Sequence, residues 1–438
     1  MDDATGLAEA LLGLDGFRVL AVDETPSEVI VTVETTADFV GCPSCGVRAE
    51  AKDRIRVEIR DLPCFGRPAR LVWLKRRWRC ADPDCAIKTW TEGTEHVAPR
   101  AVLTLRAGAE ATRQVGELAL PVAVVARELG VCWWTVMDAV VLHGTPLVED
   151  PKRVKKVRAL GVDETSFLSA TREHRTIYVT GLVDLDRKRI IDMVERNAAP
   201  DLRRWCAEQD PAQMRAIRVV ATDLAESYRS GTSPHLDHAI RVADPFHVVR
   251  IANRCVDKVR RRVQNETLGH RARRVDPLYR IRKLLLSGYE RLDERGHDRV
   301  LLGLRHGDPH DELLGTWLAK ESVRDIYLTE DPKNARVLLD KAIAGCKSDE
   351  VEEIRSLGET LERWRIEILN HHRTGASNGP TEGLNLCVKK VKRAGRASPA
   401  SITTDFGCSS TLVVSPGPGV HHRHASGPAL PTQTRRAP

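Results

Sequence analysis

The chain has 438 residues, 42% of them hydrophobic and 29% charged, with a formal net charge of +7. That length accommodates two or three domains with cores of their own, and no apolar run approaches the ~18 residues of a membrane span. Eleven cysteines in so long a chain do not describe a secreted disulfide scaffold; their clustering points to metal, and the bunched positive charge to a polyanionic partner.

The N-terminus, MDDATGLAEALLGLDGF, is acidic and lacks the basic n-region of a signal peptide, so a cytoplasmic protein without membrane association is expected. Residues 1–100 read as a zinc-ribbon domain of short strands. GCPSCG sets Cys42 and Cys45 on one turn, and RWRCADPDC sets Cys80 and Cys85 on a second knuckle. Two short-spaced thiol pairs joined by a strand-rich insert close a tetrahedral S₄ shell, which suits Zn²⁺. Cys64, the odd thiol nearby, is expected to pack as a small hydrophobe. Between the knuckles, RPARLVWLKRRWR carries Arg76, Arg77 and Arg79 with Trp73 and Trp78 interleaved. This surface fits phosphate contact with aromatic support, or equally a solvated strand face over core tryptophans.

Residues 101–150 read as a helix-turn-helix DNA-binding domain. Pro121 starts a helix with apolar spacing at Val122, Val125, Ala126 and Leu129; Gly130 makes the turn, and Val136, Met137 and Val140 point inward from a second helix. Trp133, Trp134 and Thr135 head that second helix, where base edges are met. An ordinary helical hairpin is the alternative.

From 155 to 250 strands and helices alternate. VRALGVDETSF is a strand ending at Asp163 and Glu164, RTIYVTGLVD and RKRIIDMVE form a hairpin, and DLRRWCAEQD is helical. A strand through RVVAT ends at Asp223, a turn-rich segment surrounds Ser233-Pro234, and a last strand ends at Asp244. Three meander strands followed by helix-linked strands is the order of an α/β ribonuclease H-like fold, in which Asp163 and Asp223 converge. Asp244, with His247 close by, rivals Asp223. Residues 251–370 read as a charged helical insertion whose RRRVQNETLGHRARR run fits phosphate contact or a solvated helix face. In the catalytic helix, 371–396, Asn378 is an N-cap and Pro380 lies in the first turn; Glu382, Asn385, Lys389, Lys392 and Arg393 share one stripe. Glu382 there suits a metal, and the cations a DNA backbone. The tail, 397–438, is rich in Pro, Gly, Ser and His and reads as disordered or as the product of a frame change.

CPSCG, RRWRC, GVDETSF, DLAESYR, ADPFHVV and SNGPTEGLN…KKVKRAGR together resemble the bacterial insertion-sequence DDE transposases of the ISL-three family. The resemblance runs from about residue 40 to 396; the tail departs from it, which bears on full activity. It implies a zinc ribbon and helix-turn-helix that bind terminal inverted repeats, and an Asp163–Asp223–Glu382 triad. Such a triad holds two Mg²⁺ (or Mn²⁺) ions for strand cleavage and transfer into target DNA. The expected form is a homo-oligomer on double-stranded DNA, associated with the nucleoid. Three alternatives remain: a non-catalytic DNA-binding regulator, a catalytically impaired remnant and a nuclease on the same fold.

Overall fold

The computed structural model of the chain describes residues 2–37, 39–170, 172, 175–270, 273–395, 402–405 and 411–414. Among them no single helix is long and apolar enough to cross a membrane.

The N-terminal region opens with helix α1 (Asp2–Leu12) and then builds a sheet from β1 (Phe17–Glu24), β2 (Val29–Thr35), β3 (Ala49–Cys64), β4 (Arg67–Cys80) and β5 (Thr89–Thr91). Strands are ordered β1-β2-β4-β3, with β5 on the far part of β4. β3 and β4 form a long antiparallel hairpin turned at Phe65-Gly66, both in the left-handed region. Alternate residues of the strands, including Val31, Val33, Ile59, Leu71 and Trp73, face one core. Cys64 packs against it.

Helices α2 (Leu105–Gly116), α3 (Val122–Leu129) and α4 (Trp133–Val148) follow. The axes of α3 and α4 are bent by 104°, and Val122, Val125, Leu129, Val136 and Val140 share a buried cluster. Gly130 joins them at φ +67°, and a Cβ there would lie 3.2 Å from both Arg60 and Pro68. Glycine is required twice over, by the left-handed turn and by the close seat on the β3–β4 hairpin.

The second sheet contains β6 (Ala159–Leu168), β7 (Ile177–Asp184), β8 (Arg189–Glu195), β9 (Val219–Thr222) and β10 (Ile240–Ala243), ordered β10-β9-β6-β7-β8. The pairs β10–β9 and β9–β6 are parallel, the others antiparallel. β6 does not stop at the acids: pairing with β9 ends at Val162, but Asp163–Ser166 continue opposite β7. Helices α5 (Ala199–Glu208), α6 (Pro211–Ala216) and α7 (Glu226–Leu236) connect the later strands. The segment around Ser233-Pro234, read from sequence as turns, is the end of α7. Ser230, Thr232 and Ser233 return their hydroxyls to carbonyls one turn back, so these residues continue the helix.

The helical stretch expected from 251 begins at Pro245, whose fixed φ suits a first helical position. It comprises α8 (Pro245–Leu268), α9 (Pro277–Ile281), α10 (Glu294–Gly307), α11 (Glu312–Leu328), α12 (Pro332–Lys347), α13 (Glu352–Arg363) and α14 (Arg365–Thr374). α8 is its spine, contributing to two apolar clusters. Helix α15 (Gly379–Gly395) then returns to the second sheet, where Val388 and Leu384 pack with Ala159, Val219 and Ala221. Of the tail, β11 (Ile402–Asp405) and β12 (Thr411–Val414) form an antiparallel pair. The rest of the stretch expected to be disordered lies outside the described residues.

Candidate metal centres

Period-2 alternation decides which face of the second sheet each β6 residue serves. Leu160 and Val162 join the cluster with Leu202, Trp205 and Tyr228. Ala159 belongs to the opposite cluster with Val388 of α15, so Gly161 and Asp163 also look toward α15. The parallel register sets Val162 beside Thr222. Asp163 and Asp223, one residue further on each strand, therefore emerge together. Glu164 points to the other side and accepts a 2.5 Å hydrogen bond from Asn197.

α15 can approach only because residue 161 lacks a side chain. A Cβ there would meet Thr381 Oγ1 at 2.4 Å and Asn378 Oδ1 at 2.6 Å. Asn378, read from sequence as an N-cap, is a fully buried junction. Its Nδ2 donates to the Val162 carbonyl (3.0 Å), its backbone N–H to Asp244 Oδ1 (2.7 Å), and its Oδ1 accepts from Thr381 (2.6 Å). Nearly two turns into the helix, Asn385 Nδ2 donates to Asp163 Oδ2 at 2.7 Å.

Two groups of ligand atoms result, each within 4.8 Å: Asp163, Asp223 and His247, and Asp244, His247 and Glu382. Both rivals for the second acid are thus present, and their surroundings differ. Asp244 is nearly inaccessible and has both oxygens engaged, one by Asn378 and the other by His247 Nδ1 at 3.2 Å. Asp223 Oδ1 is buried with no partner among the described residues. An unpaired buried carboxylate oxygen is costly unless a cation faces it.

Burial lifts Asp163 to a pKa of about 6, with His247 opposing and the Asp223 field adding to the rise. Asp223 is raised by burial and, more weakly, by Glu164, against His247. Glu382 is raised by burial and by Asp244, against His247 and Arg250. Burial works against charge on His247, but the Asp244 bond and the neighbouring carboxylates outweigh it and raise its pKa. Crowded carboxylates held above their ordinary range are what a hard divalent cation relieves, and oxygen donors suit Mg²⁺ or Mn²⁺.

The thiol centre is local. Cys42 and Cys45 lie on the loop before β3, Cys80 ends β4, and Cys85 precedes β5. Their sulfurs lie within 4.8 Å of one another, with Cys42–Cys85 at 3.6 Å and Cys45–Cys80 at 3.5 Å. Tetrahedral Zn²⁺ with bonds near 2.3 Å sets sulfurs about 3.8 Å apart, so the four thiols fit it. The Cys45 backbone N–H is the main influence lowering Cys42 to about 7, whereas burial pushes Cys80 up to about 12.

The expected nucleic-acid residues fare differently from one another. Arg76 is a correction: it is 7% exposed and donates to the Ala37 and Thr35 carbonyls at 2.5 and 2.7 Å, so it braces the sheet. Trp73 and Trp78 are likewise buried. Arg77 and Arg79 remain on the surface, paired across the hairpin with Asp53 and Glu50. Trp134 is 65% exposed, beside half-buried Trp133 and Thr135 at the start of α4. Lys389 is half-buried on α15; the side chains of Lys392 and Arg393 lie outside the described residues. The RRRVQNETLGHRARR run is not one phosphate surface. Arg260 is buried against Asp257 and Gln264, and Arg262 is taken up by Glu312, Glu353 and Glu266.

Residues 160–397 match the ISL3 DDE family model, described as a transposase. Residues 38–85 match a model described as the zinc-finger of transposase IS204/IS1001/IS1096/IS1165. The chain is 25% identical over 288 residues to the transposase for insertion sequence element IS1557 of Mycobacterium tuberculosis, in strains CDC 1551 / Oshkosh and ATCC 25618 / H37Rv. That stretch is 60% of this chain, and the chain spans 62% of the length of these relatives.

Proposed function

The chain belongs to the ISL3 family of transposases, and on that premise we propose that it binds the terminal inverted repeats of an insertion sequence, cuts the DNA and joins it to a target. In this reading the second sheet is a ribonuclease H-like catalytic core. Asp163, Asp223 and Glu382 hold the divalent ions, and the four cysteines hold Zn²⁺. Bound there, a pair of Mg²⁺ ions supplies an activated attacking oxygen and a stabilised leaving oxygen for an in-line displacement.

The observation that carries this reading is the orphaned, buried Asp223 Oδ1 beside Asp163. Asp244, with both oxygens engaged, serves instead to fix Asn378 and His247. Asn385 holds the Asp163 carboxylate in one orientation, and Asn378 holds α15, and so Glu382, against β6. Hydrogen-bonded supports of this kind keep ligands aimed. α3 and α4 act as a helix-turn-helix, with exposed Trp134 and half-buried Thr135 at the head of the reading helix. Arg77, Arg79 and Lys389 are the proposed backbone contacts from the earlier set. Cleavage of paired ends calls for a homo-oligomer, acting on DNA in the cytoplasm.

The test is a strand-transfer assay with Mg²⁺, using duplexes that carry the element's ends and flanking DNA, and a target plasmid. Cutting and joining are expected, with Asp223→Asn inactive. Cutting without joining identifies a nuclease, and binding without cutting a regulator; either retires the reading. Normal cutting by Asp223→Asn would remove Asp223 from the triad.

A further inference from the structure

α8 carries more than the core of the helical region. Its 24 residues divide into two faces. Val248, Ala252, Val256, Val259 and Val263 are buried. On the opposite side His247, Arg250, Arg254, Lys258 and Arg261 follow at steps of three and four, which is one stripe of a helix. His247 is a member of the acid cluster, and Arg250, one turn on, acts on Asp223 and Glu382 through its charge. The stripe therefore begins at the acids and runs away from them.

Resting on the DNA-processing reading above, we propose that this stripe is a sequence-independent track for a DNA backbone leaving the acid cluster. Arg250, Arg254, Lys258 and Arg261 line a cleft of about 620 Å³ together with Asn253, Asp257 and Leu286. Four cations face a single carboxylate, so the cleft is positive. Arg250 and Arg254 are exposed and have no ion pair among the described residues. Lys258 and Arg261 are 70% and 54% exposed and pair with Glu353 and Asp257 on opposite flanks of the stripe. Asp257 also pairs with buried Arg260, so its charge is largely spent.

The dimensions agree with a strand rather than a small anion. From Arg250 to Arg261 the helix rises about 16 Å, as far as about five nucleotides advance along a duplex axis at about 3.4 Å each. Around the helix the sign of the surface reverses. Beyond Arg262 the neighbouring cleft is lined by Asp311, Glu312, Asp349, Glu350 and Glu353, which repel a polyanion. Only the Arg250–Arg261 side suits phosphate, and it leads directly to the proposed ligands.

The test uses the full chain and a fluorescent duplex of arbitrary sequence, with affinity measured across a salt series. The variant is Arg254→Ala, Lys258→Ala, Arg261→Ala, which leaves Arg250 beside the acids untouched. Loss of three phosphate contacts should lower the slope of log affinity against log salt by about 2.7. Mn²⁺ titration of the acid cluster should be unchanged, showing that the site is intact. Arg254→Glu alone, at an exposed position, should lower the slope by about 0.9 and serves if the triple variant misfolds. An unchanged slope overturns the proposal. A lowered slope in a chain that never cuts its element's ends overturns the transposase reading and leaves the track standing.

Discussion

The thiol cluster and the acid cluster are both shaped for metal, and they are assembled in opposite ways. All four thiols come from two turns that meet at the open end of one hairpin, between residues 42 and 85, and packing beyond Ile87 and Trp90 contributes little. The acids come from two strands and a helix. The Asn385–Asp163 hydrogen bond that ties them spans 222 residues of sequence. A local site depends on its own ligands; a distributed one also depends on residues that ligate nothing, such as Gly161 and Asn378.

This contrast can be broken or sharpened by experiment. The largest effect is expected from Asp163→Ala, Asp223→Ala or Glu382→Ala. Outer supports of metal sites are commonly worth about 10–100-fold, so loss of a ligand should reduce Mg²⁺-dependent cleavage by more than about 100-fold. Zinc content and DNA binding should persist. Parallel loss of zinc would show that the two clusters are not independent.

Next, one zinc per chain is expected by elemental analysis, and Cys42→Ser with Cys80→Ser should abolish it. Structural zinc contributes on the order of 10 kcal/mol to small folds, so the ribbon should unfold while Mn²⁺ binding at the acids survives. Unchanged zinc content would rule the thiol site out.

A smaller, graded effect is expected with pH. Asp163 is raised to about 6 in the metal-free protein, chiefly by burial. Below that pH it carries a proton that must leave before it can ligate. Mn²⁺ affinity, read by calorimetry, should therefore fall about tenfold per pH unit as pH drops below 6. A pH-independent affinity would remove Asp163 from the ligand set.

Gly161→Ala separates the two designs most finely. The new methyl meets Thr381 and Asn378, and overpacking of this kind costs about 1–3 kcal/mol. Thermal unfolding should register that loss, and cleavage should fall through displacement of α15, with zinc unaffected. The smallest effect on DNA should come from Arg76→Ala: its guanidinium braces carbonyls inside the sheet, so stability drops while DNA affinity holds. A weakened affinity in a folded variant would return Arg76 to the interface.

The difference between the clusters also explains what was legible in the sequence. Cysteine spacing was sufficient for the thiols because a knuckle is a local object. Strand order predicts that Asp163 and Asp223 converge, since parallel register carries two strand ends to one place, and helical spacing sets Glu382 on the α15 stripe. Periodicity marked the α15 stripe but not its packing: Asn385 is buried against Asp163, which counting along a helix does not reveal. Nor does composition separate Arg76 from Arg77. They are adjacent basic residues on opposite faces of β4, and only the neighbours across the sheet decide which is inside. Asp223 and Asp244 looked alike as strand-end acids; their hydrogen-bond partners, contributed by α8 and α15, make them different.

The spacing of these clusters along the chain has a consequence in time. Nearly three hundred residues separate Cys85 from Glu382. A ribosome adding about 5–20 residues per second takes roughly 15–60 s to cover them. For that interval a growing polypeptide has every thiol of one centre and lacks the closing acid of the other. The fold thus makes the acid cluster the later of the two centres to be completed, and a chain interrupted on the way is left with a complete ribbon and an open acid site.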